Sequence, residues 1–154
     1  MTKTTMLLGV DLGTGGCKIT IIDDEGRILA EVTEEYKTYH PESSYSEQDP
    51  SDWFLAFKKC LIKARDEKKI DLNNIEAISL DASTHNAVLL DSEMKIIRPT
   101  IMWTDQRSIS EVEYLEKNWP VPQQVQKFVF EVGNIVNISL DGKEFNVVVF
   151  SNSF

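Results

Sequence analysis

The chain predicts an α/β fold, a mixed sheet with packed helices followed by a β-rich tail. Three observations lead there. Apolar runs over residues 6–10, 17–23 and 27–36 are separated by a glycine-rich loop and by Asp24-Glu25-Gly26, the pattern of an antiparallel meander. An amphipathic helical segment then starts at Asp49-Pro50. A further strand-like run over 75–83 follows that helix, and a strand reached through a helical crossover lies parallel to the one it left.

The elements can be justified in order. Residues 6–10 are nearly all apolar, as in a strand buried on both faces. In the second strand Cys17, Ile19 and Ile21 alternate with Lys18, Thr20 and Ile22, which predicts one drier face. The third strand, 27–36, places Ile28, Ala30 and Val32 on one face. Residues 37–48 are polar and contain proline, so they read as a loop.

Asp49 suits an N-cap and Pro50 the first helical position. Trp53, Phe57, Cys60, Leu61 and Ala64 recur at helical spacing as one apolar stripe, which makes Trp53 a core residue rather than a ligand contact. Lys63, Arg65, Lys68 and Lys69 crowd the end of this helix, where its dipole favours cations. Residues 87–90 and 96–97 flank the turn Asp91-Ser92-Glu93-Met94-Lys95 as a small hairpin. A last helix begins near Ser108, with Ile109, Val112 and Leu115 spaced three apart.

The pattern changes near Trp119-Pro120-Val121-Pro122. Beyond it, residues 128–130, 135–140 and 145–150 read as a three-stranded meander with turns at Gly133-Asn134 and Asp141-Gly142. We therefore expect a lobe over residues 1–118 and a β-rich tail over 119–154.

With 154 residues, 42% of them hydrophobic, the chain can bury one core. A net charge of −9 without a basic stripe argues against nucleic acid as a partner. No apolar run reaches the ~20 residues of a membrane span, so no membrane is expected. Cys17 and Cys60 fall on a strand and on a helix's apolar face, which favours reduced core thiols over a disulfide or metal pair, and hence a cytoplasmic setting.

The stretch Gly9-Val-Asp-Leu-Gly-Thr-Gly-Gly-Cys-Lys18 carries the chemistry. Asp11 lies at the C-terminal end of a strand, where open α/β sheets place ligands. Gly13, Gly15 and Gly16 let backbone N–H groups approach an anion, and Lys18 adds a positive charge. It is not a dinucleotide fingerprint: Lys18 stands at the third-glycine position and β-branched residues follow. A P-loop is also excluded, because Gly16-Cys17-Lys18-Ile19 lacks Gly-Lys-Ser/Thr. Taken alone, the loop is equally a plain glycine-rich hairpin.

Gly9-Val-Asp-Leu-Gly-Thr14 with Lys18 resembles the first phosphate motif of the actin, hexokinase and Hsp70 ATPase superfamily. Glu47-Gln-Asp-Pro-Ser-Asp-Trp53 and Ile101-Met-Trp-Thr-Asp-Gln-Arg107 resemble stretches of the FGGY carbohydrate kinases, the family of xylulose, gluconate and glycerol kinases. Three motifs in order, covering about residues 6–118, imply a ribonuclease-H-like (actin-like ATPase) lobe and ATP-dependent phosphorylation of a sugar or polyol.

By that resemblance Asp11 orients magnesium through water, while Thr14, Gly15, Gly16 and Lys18 cradle the phosphates of ATP. Relatives carry hydroxyl residues where this chain has Gly15 and Gly16, so side-chain donors are lost there. Thr84 and His85 occupy the place of a sugar-contacting Met-His pair, which Thr84 does not match; a hydrogen-bonded turn histidine is the alternative. Asp105 and Arg107 match a Trp-x-Asp-x-Arg stretch that would reach the substrate. Their alternative role is an internal ion pair capping the next helix, and both roles can hold together.

The family's general base lies in a Gly-Asp motif beyond the matched portion, and no Gly-Asp dipeptide occurs in this chain. The expectation is thus an incomplete kinase lobe, inactive alone, that associates through its sheet edge or its tail, as a homodimer among other forms. A non-catalytic sugar- or phosphate-binding module, and an interaction protein acting through the tail, are the alternative functions.

Overall fold

A computed structural model describes residues 5–118, 135–140 and 143–148. Its elements in chain order are β1 (Met6–Leu12), β2 (Gly16–Asp23), β3 (Ile28–Glu35), β4 (Glu47–Gln48), α1 (Pro50–Asp66), β5 (Ile75–Ala82), β6 (Val88–Leu90), β7 (Thr100–Ile101), α2 (Ile109–Asn118), β8 (Ile135–Leu140) and β9 (Lys143–Val148). They form two compact units, Met1–Lys37 with Ser51–Ser83 and Thr38–Pro50 with Thr84–Phe154.

In the first unit the sheet order is β3-β2-β1-β5. β1 to β3 form the expected antiparallel meander, and β5 lies parallel to β1, so the sheet is mixed. Cys17, Ile19 and Ile21 are fully buried, as their alternation predicts, together with Leu8, Val10, Ala30 and Val32. Burying a residue such as Ile19 stabilises the fold by about 1.5–3 kcal/mol. Small residues let α1 lie close to this face: Ala56, Cys60 and Ala64 sit four apart and are buried. Phe57 and Leu61 pack at the margin of the core, and Trp53 is half-buried. Ala56, absent from the expected stripe, takes one of the central positions.

Two expectations need correction. β1 is buried on one face only: Leu8 and Val10 are covered, whereas Leu7 is 37% exposed. The helix of this unit packs on the face of Leu8 and Val10, and a groove of about 340 Å³ lined by Leu7, Gly9, Thr20 and Ile22 runs along the other. Ile28 also departs from the face of Ala30 and Val32 and is 61% exposed. A register shift causes this, since Ile21 pairs with Ala30 but Ile22 with Ile28, so the bulged strand turns Ile28 outward.

The turn after β2 is built on Asp23. Its buried carboxylate accepts from the amides of Glu25 and Arg27, at 3.0 and 2.9 Å, and from Arg27 Nε at 2.7 Å.

In the second unit β4 pairs antiparallel with β7. The expected hairpin after residue 87 is present: Leu90 bridges Ile96, and Asp91 Oδ1 accepts from the amides of Glu93 and Lys95, each at 2.9 Å. α2 starts one residue after Ser108, and its Ile109 and Val112 are exposed. Two of the expected tail strands are observed as β8 and β9, and β9 pairs antiparallel with β6 from Val88↔Val148 to Leu90↔Asn146. The strand expected over 128–130, both tail turns and the change of pattern near Trp119 lie outside the described residues.

Candidate functional site

The glycine loop joins β1 to β2. Gly13 N–H donates to Gly16 O at 3.0 Å and closes the turn. Tyr36, the residue after β3, donates its backbone N–H to Gly15 O at 3.3 Å and its hydroxyl to Gly13 O. Gly16 must remain glycine, because a Cβ there would meet Glu34 O at 2.6 Å. A Cβ at Gly15 would meet nothing within 4 Å, so the crest of the loop is open.

Asp11 and Lys18 face each other directly on the β1–β2 ladder, which puts both side chains on one face of the sheet. Asp11 is exposed there, and its Oδ1 lies 3.7 Å from where a Gly13 Cβ would be. Lys18 Nζ lies 2.7 Å from Glu31 Oε1 on β3. The hydrogen bond from Lys18 and its charge hold the Glu31 carboxyl below its ordinary value. On the other side of β1, Asp81 of β5 is the register partner of Asp11, so two carboxylates flank the strand end. Thr14 is half-buried in the loop. Asp11, Thr14, Gly15, Gly16 and Lys18 thus lie together at one end of the sheet, with the lysine engaged by a carboxylate of the same sheet.

In the second unit Asp105 and Arg107 meet as an ion pair. Arg107 donates from Nε to Asp105 Oδ1 and from Nη2 to Oδ2, each at 2.8 Å. Arg107 Nη2 also reaches Glu47 Oε1 at 2.6 Å, and the guanidinium lies 3.8 Å from the centre of the Tyr45 ring. Arg98 Nη2 lies 2.5 Å from the same Glu47 oxygen. Ser46 N–H donates to Asp105 Oδ2 at 2.6 Å. These bonds, the Arg107 side chain first, hold the Asp105 carboxyl well below its ordinary range. The internal pair is present, but it does not cap α2: the Asp105 carboxylate takes the amides of Ser46 and Arg107, and Ile109 N–H goes to Gln106 O.

His85 adopts a left-handed backbone, φ 63°, and is exposed; Thr84 Oγ1 lies 2.8 Å from its Nδ1. The next residue, Asn86, is buried and accepts the Trp103 N–H at 2.9 Å. The His85 turn is therefore tied to the segment that carries Asp105 and Arg107.

Sequence reasoning passed over Tyr36, Glu31, Tyr45, Glu47, Arg98 and Asp81. Glu47 stood inside a quoted motif, but its partner Arg107 lies 60 positions away and no local pattern links the two. Tyr36 gave no signal, because its role depends on where β3 ends.

The family model for the N-terminal domain of the FGGY family of carbohydrate kinases matches residues 6–136, continuing past the end of α2. The xylulose kinase of Escherichia coli strain K12 is 33% identical over 115 residues, 75% of this chain and 23% of that protein. Among solved structures, the ligand-bound xylulose kinase of Lactobacillus acidophilus superposes with a TM-score of 0.71 at 28% identity, covering 80% of this chain and 24% of that one. The gluconate kinase of the same organism gives 0.72 at 27%, with the same coverage. The chain thus spans about a quarter of the length of the relatives it matches. Its mixed sheet is that of an actin-like ATPase lobe. On these grounds the chain belongs to the FGGY family of carbohydrate kinases, within whose N-terminal domain most of it falls.

Proposed function

We propose that this chain carries the phosphate-holding loop and part of the sugar-binding surface of an ATP-dependent sugar kinase, and that residues 1–154 alone transfer no phosphoryl group. One observation carries the reading: Asp11 and Lys18 share a rung of the sheet beside a glycine crest with room for an anion.

Phosphoryl transfer is catalysed mainly by positioning and by neutralising charge, with a base for the hydroxyl proton. The residues present fit magnesium ATP: an exposed carboxylate, backbone amides of Thr14, Gly15 and Gly16, and a lysine within one sheet face. Bound magnesium would neutralise charge on the transferring group, with Asp11 the carboxylate that faces it through water. Lys18 would exchange part of its Glu31 contact for a phosphate oxygen. His85 and Thr84 would present hydrogen-bonding groups to a sugar hydroxyl. Asp105 and Arg107 hold one another and the Tyr45–Glu47 segment, and would support the sugar surface from that position.

A non-catalytic sugar- or phosphate-binding module is the second reading, favoured by the engagement of Lys18 with Glu31. We also place the protein in the cytoplasm, because its free cysteines, Cys17 and Cys60, are buried thiols suited to a reducing compartment. Among the described residues no helix is long and apolar enough to cross a membrane.

A coupled ADP-release assay with xylulose and gluconate, the sugars of the matched relatives, tests the proposal beside a thermal-shift assay. We expect stabilisation by magnesium ATP or by a sugar without turnover. Steady sugar-dependent ADP release, abolished in Asp11→Ala, would overturn the claim that residues 1–154 alone transfer no phosphoryl group. The absence of any shift would overturn the claim of binding.

A further inference from the structure

Tyr36 is the first residue past β3, yet it makes two contacts with the loop between β1 and β2. Its backbone N–H continues the β2–β3 ladder to Gly15 O, and its hydroxyl crosses to Gly13 O. A trans peptide is planar, with its C=O and N–H pointing in opposite directions. Fixing the Gly13 carbonyl therefore turns the Thr14 N–H away from Tyr36, and fixing the Gly15 carbonyl does the same for the Gly16 N–H. Two amides that could meet an anion thus have their directions set by one side chain and its backbone.

Glycines otherwise leave such a loop many conformations, and each must be given up when an anion binds. Gly16 is already held against Glu34, so the hydroxyl of Tyr36 acts on the loop at Gly13 and the Gly13–Thr14 peptide.

We propose that Tyr36 is the positioning residue of the phosphate loop, its hydroxyl pre-setting the loop amides for a phosphate group. This rests on the reading of the loop as a phosphate cradle. Burial, with smaller contributions from Cys17 and Asp11, pushes the Tyr36 phenol above its ordinary value. The hydroxyl thus stays a donor throughout the working pH range.

The test compares the full chain with Tyr36→Phe, which keeps the ring and removes the hydroxyl. Val32→Ala serves as the control, since it loosens the same sheet through the core without touching the loop. Three quantities are read: amide exchange at residues 13–16, affinity for magnesium pyrophosphate, and melting temperature. Tyr36→Phe is expected to speed exchange in the loop and weaken pyrophosphate binding, each by about three- to tenfold, the worth of one hydrogen bond. Val32→Ala should lower the melting temperature more and leave the pyrophosphate affinity unchanged. Unaltered loop exchange in Tyr36→Phe would overturn the clamp. Faster exchange with unaltered affinity would overturn its positioning role. If the wild-type chain binds no pyrophosphate, the phosphate reading beneath the proposal fails, and the exchange data still report on the clamp.

Discussion

Lys18 stands opposite Asp11 on the β1–β2 ladder, yet its ammonium group lies 2.7 Å from Glu31. The cation of the loop is held on the β3 side, away from the aspartate it faces. Both Lys18 and Glu31 are about half exposed, so water screens the pair and its hold is weak. Glu31→Gln should release Lys18 toward the loop and tighten magnesium pyrophosphate binding by about two- to fivefold. Calorimetric titration checks this, with a melting temperature expected to stay close to wild type.

Two neighbouring glycines should differ in their response to alanine. Gly16→Ala drives a methyl against the backbone oxygen of Glu34, an overpacking expected to cost about 1–3 kcal/mol. Gly15→Ala meets nothing and should leave stability nearly unchanged. Urea unfolding of both variants would distinguish them.

The Asp105–Arg107 fork predicts an acid-sensitive second unit. The Asp105 carboxyl is depressed below its ordinary value of 3.8, so its contribution to stability is complete above that pH. The contribution is lost as pH falls below 3.8 toward the much lower folded value. Arg107→Ala leaves Asp105 and Glu47 without this guanidinium and should cost about 2–4 kcal/mol. Arg107→Lys should recover only part, because an ammonium cannot reproduce the two-pronged contact. Acid unfolding of wild type and both variants reads these effects.

Cys17 and Cys60 should resist thiol reagents in the folded protein. Burial, with Cys60 adding to it, pushes the Cys17 thiol up to about 12. The folded state therefore keeps this thiol protonated while the unfolded chain ionises it near 9. The linked stability is complete below pH 9 and is lost as pH rises toward 12. Labelling with an aromatic disulfide should be slow in buffer and fast in denaturant.

β5 is an edge strand of the four-stranded sheet, and its Ile78 and Leu80 are more than half exposed. Such an edge invites strand pairing between molecules. Ile78→Lys should lower light scattering on concentration without lowering the melting temperature.

Much of the fold was legible in the sequence because its signals are local. Alternation over Cys17, Ile19 and Ile21, the Asp24-Glu25-Gly26 turn and Pro50 each fix an element from a few residues. The outward turn of Ile28 was not legible, because a bulge depends on pairing between strands rather than on the residues of one strand. The open face of β1 was hidden for a similar reason, since apolar composition does not say what covers each side. At the candidate site the Asp11-to-Lys18 loop announced itself through its glycines. The hold of Glu31 on Lys18, and of Glu47 on Arg107, joins residues 13 and 60 positions apart, and no spacing rule connects them.

Whether the loop holds phosphate is the central question. Amide NMR of the full chain titrated with magnesium ATP decides it. Saturable shifts at Gly13, Gly15, Gly16 and Lys18, lost in Asp11→Ala, are the predicted result. Shifts confined to residues outside this loop, or shifts that persist unchanged in Asp11→Ala, would contradict it.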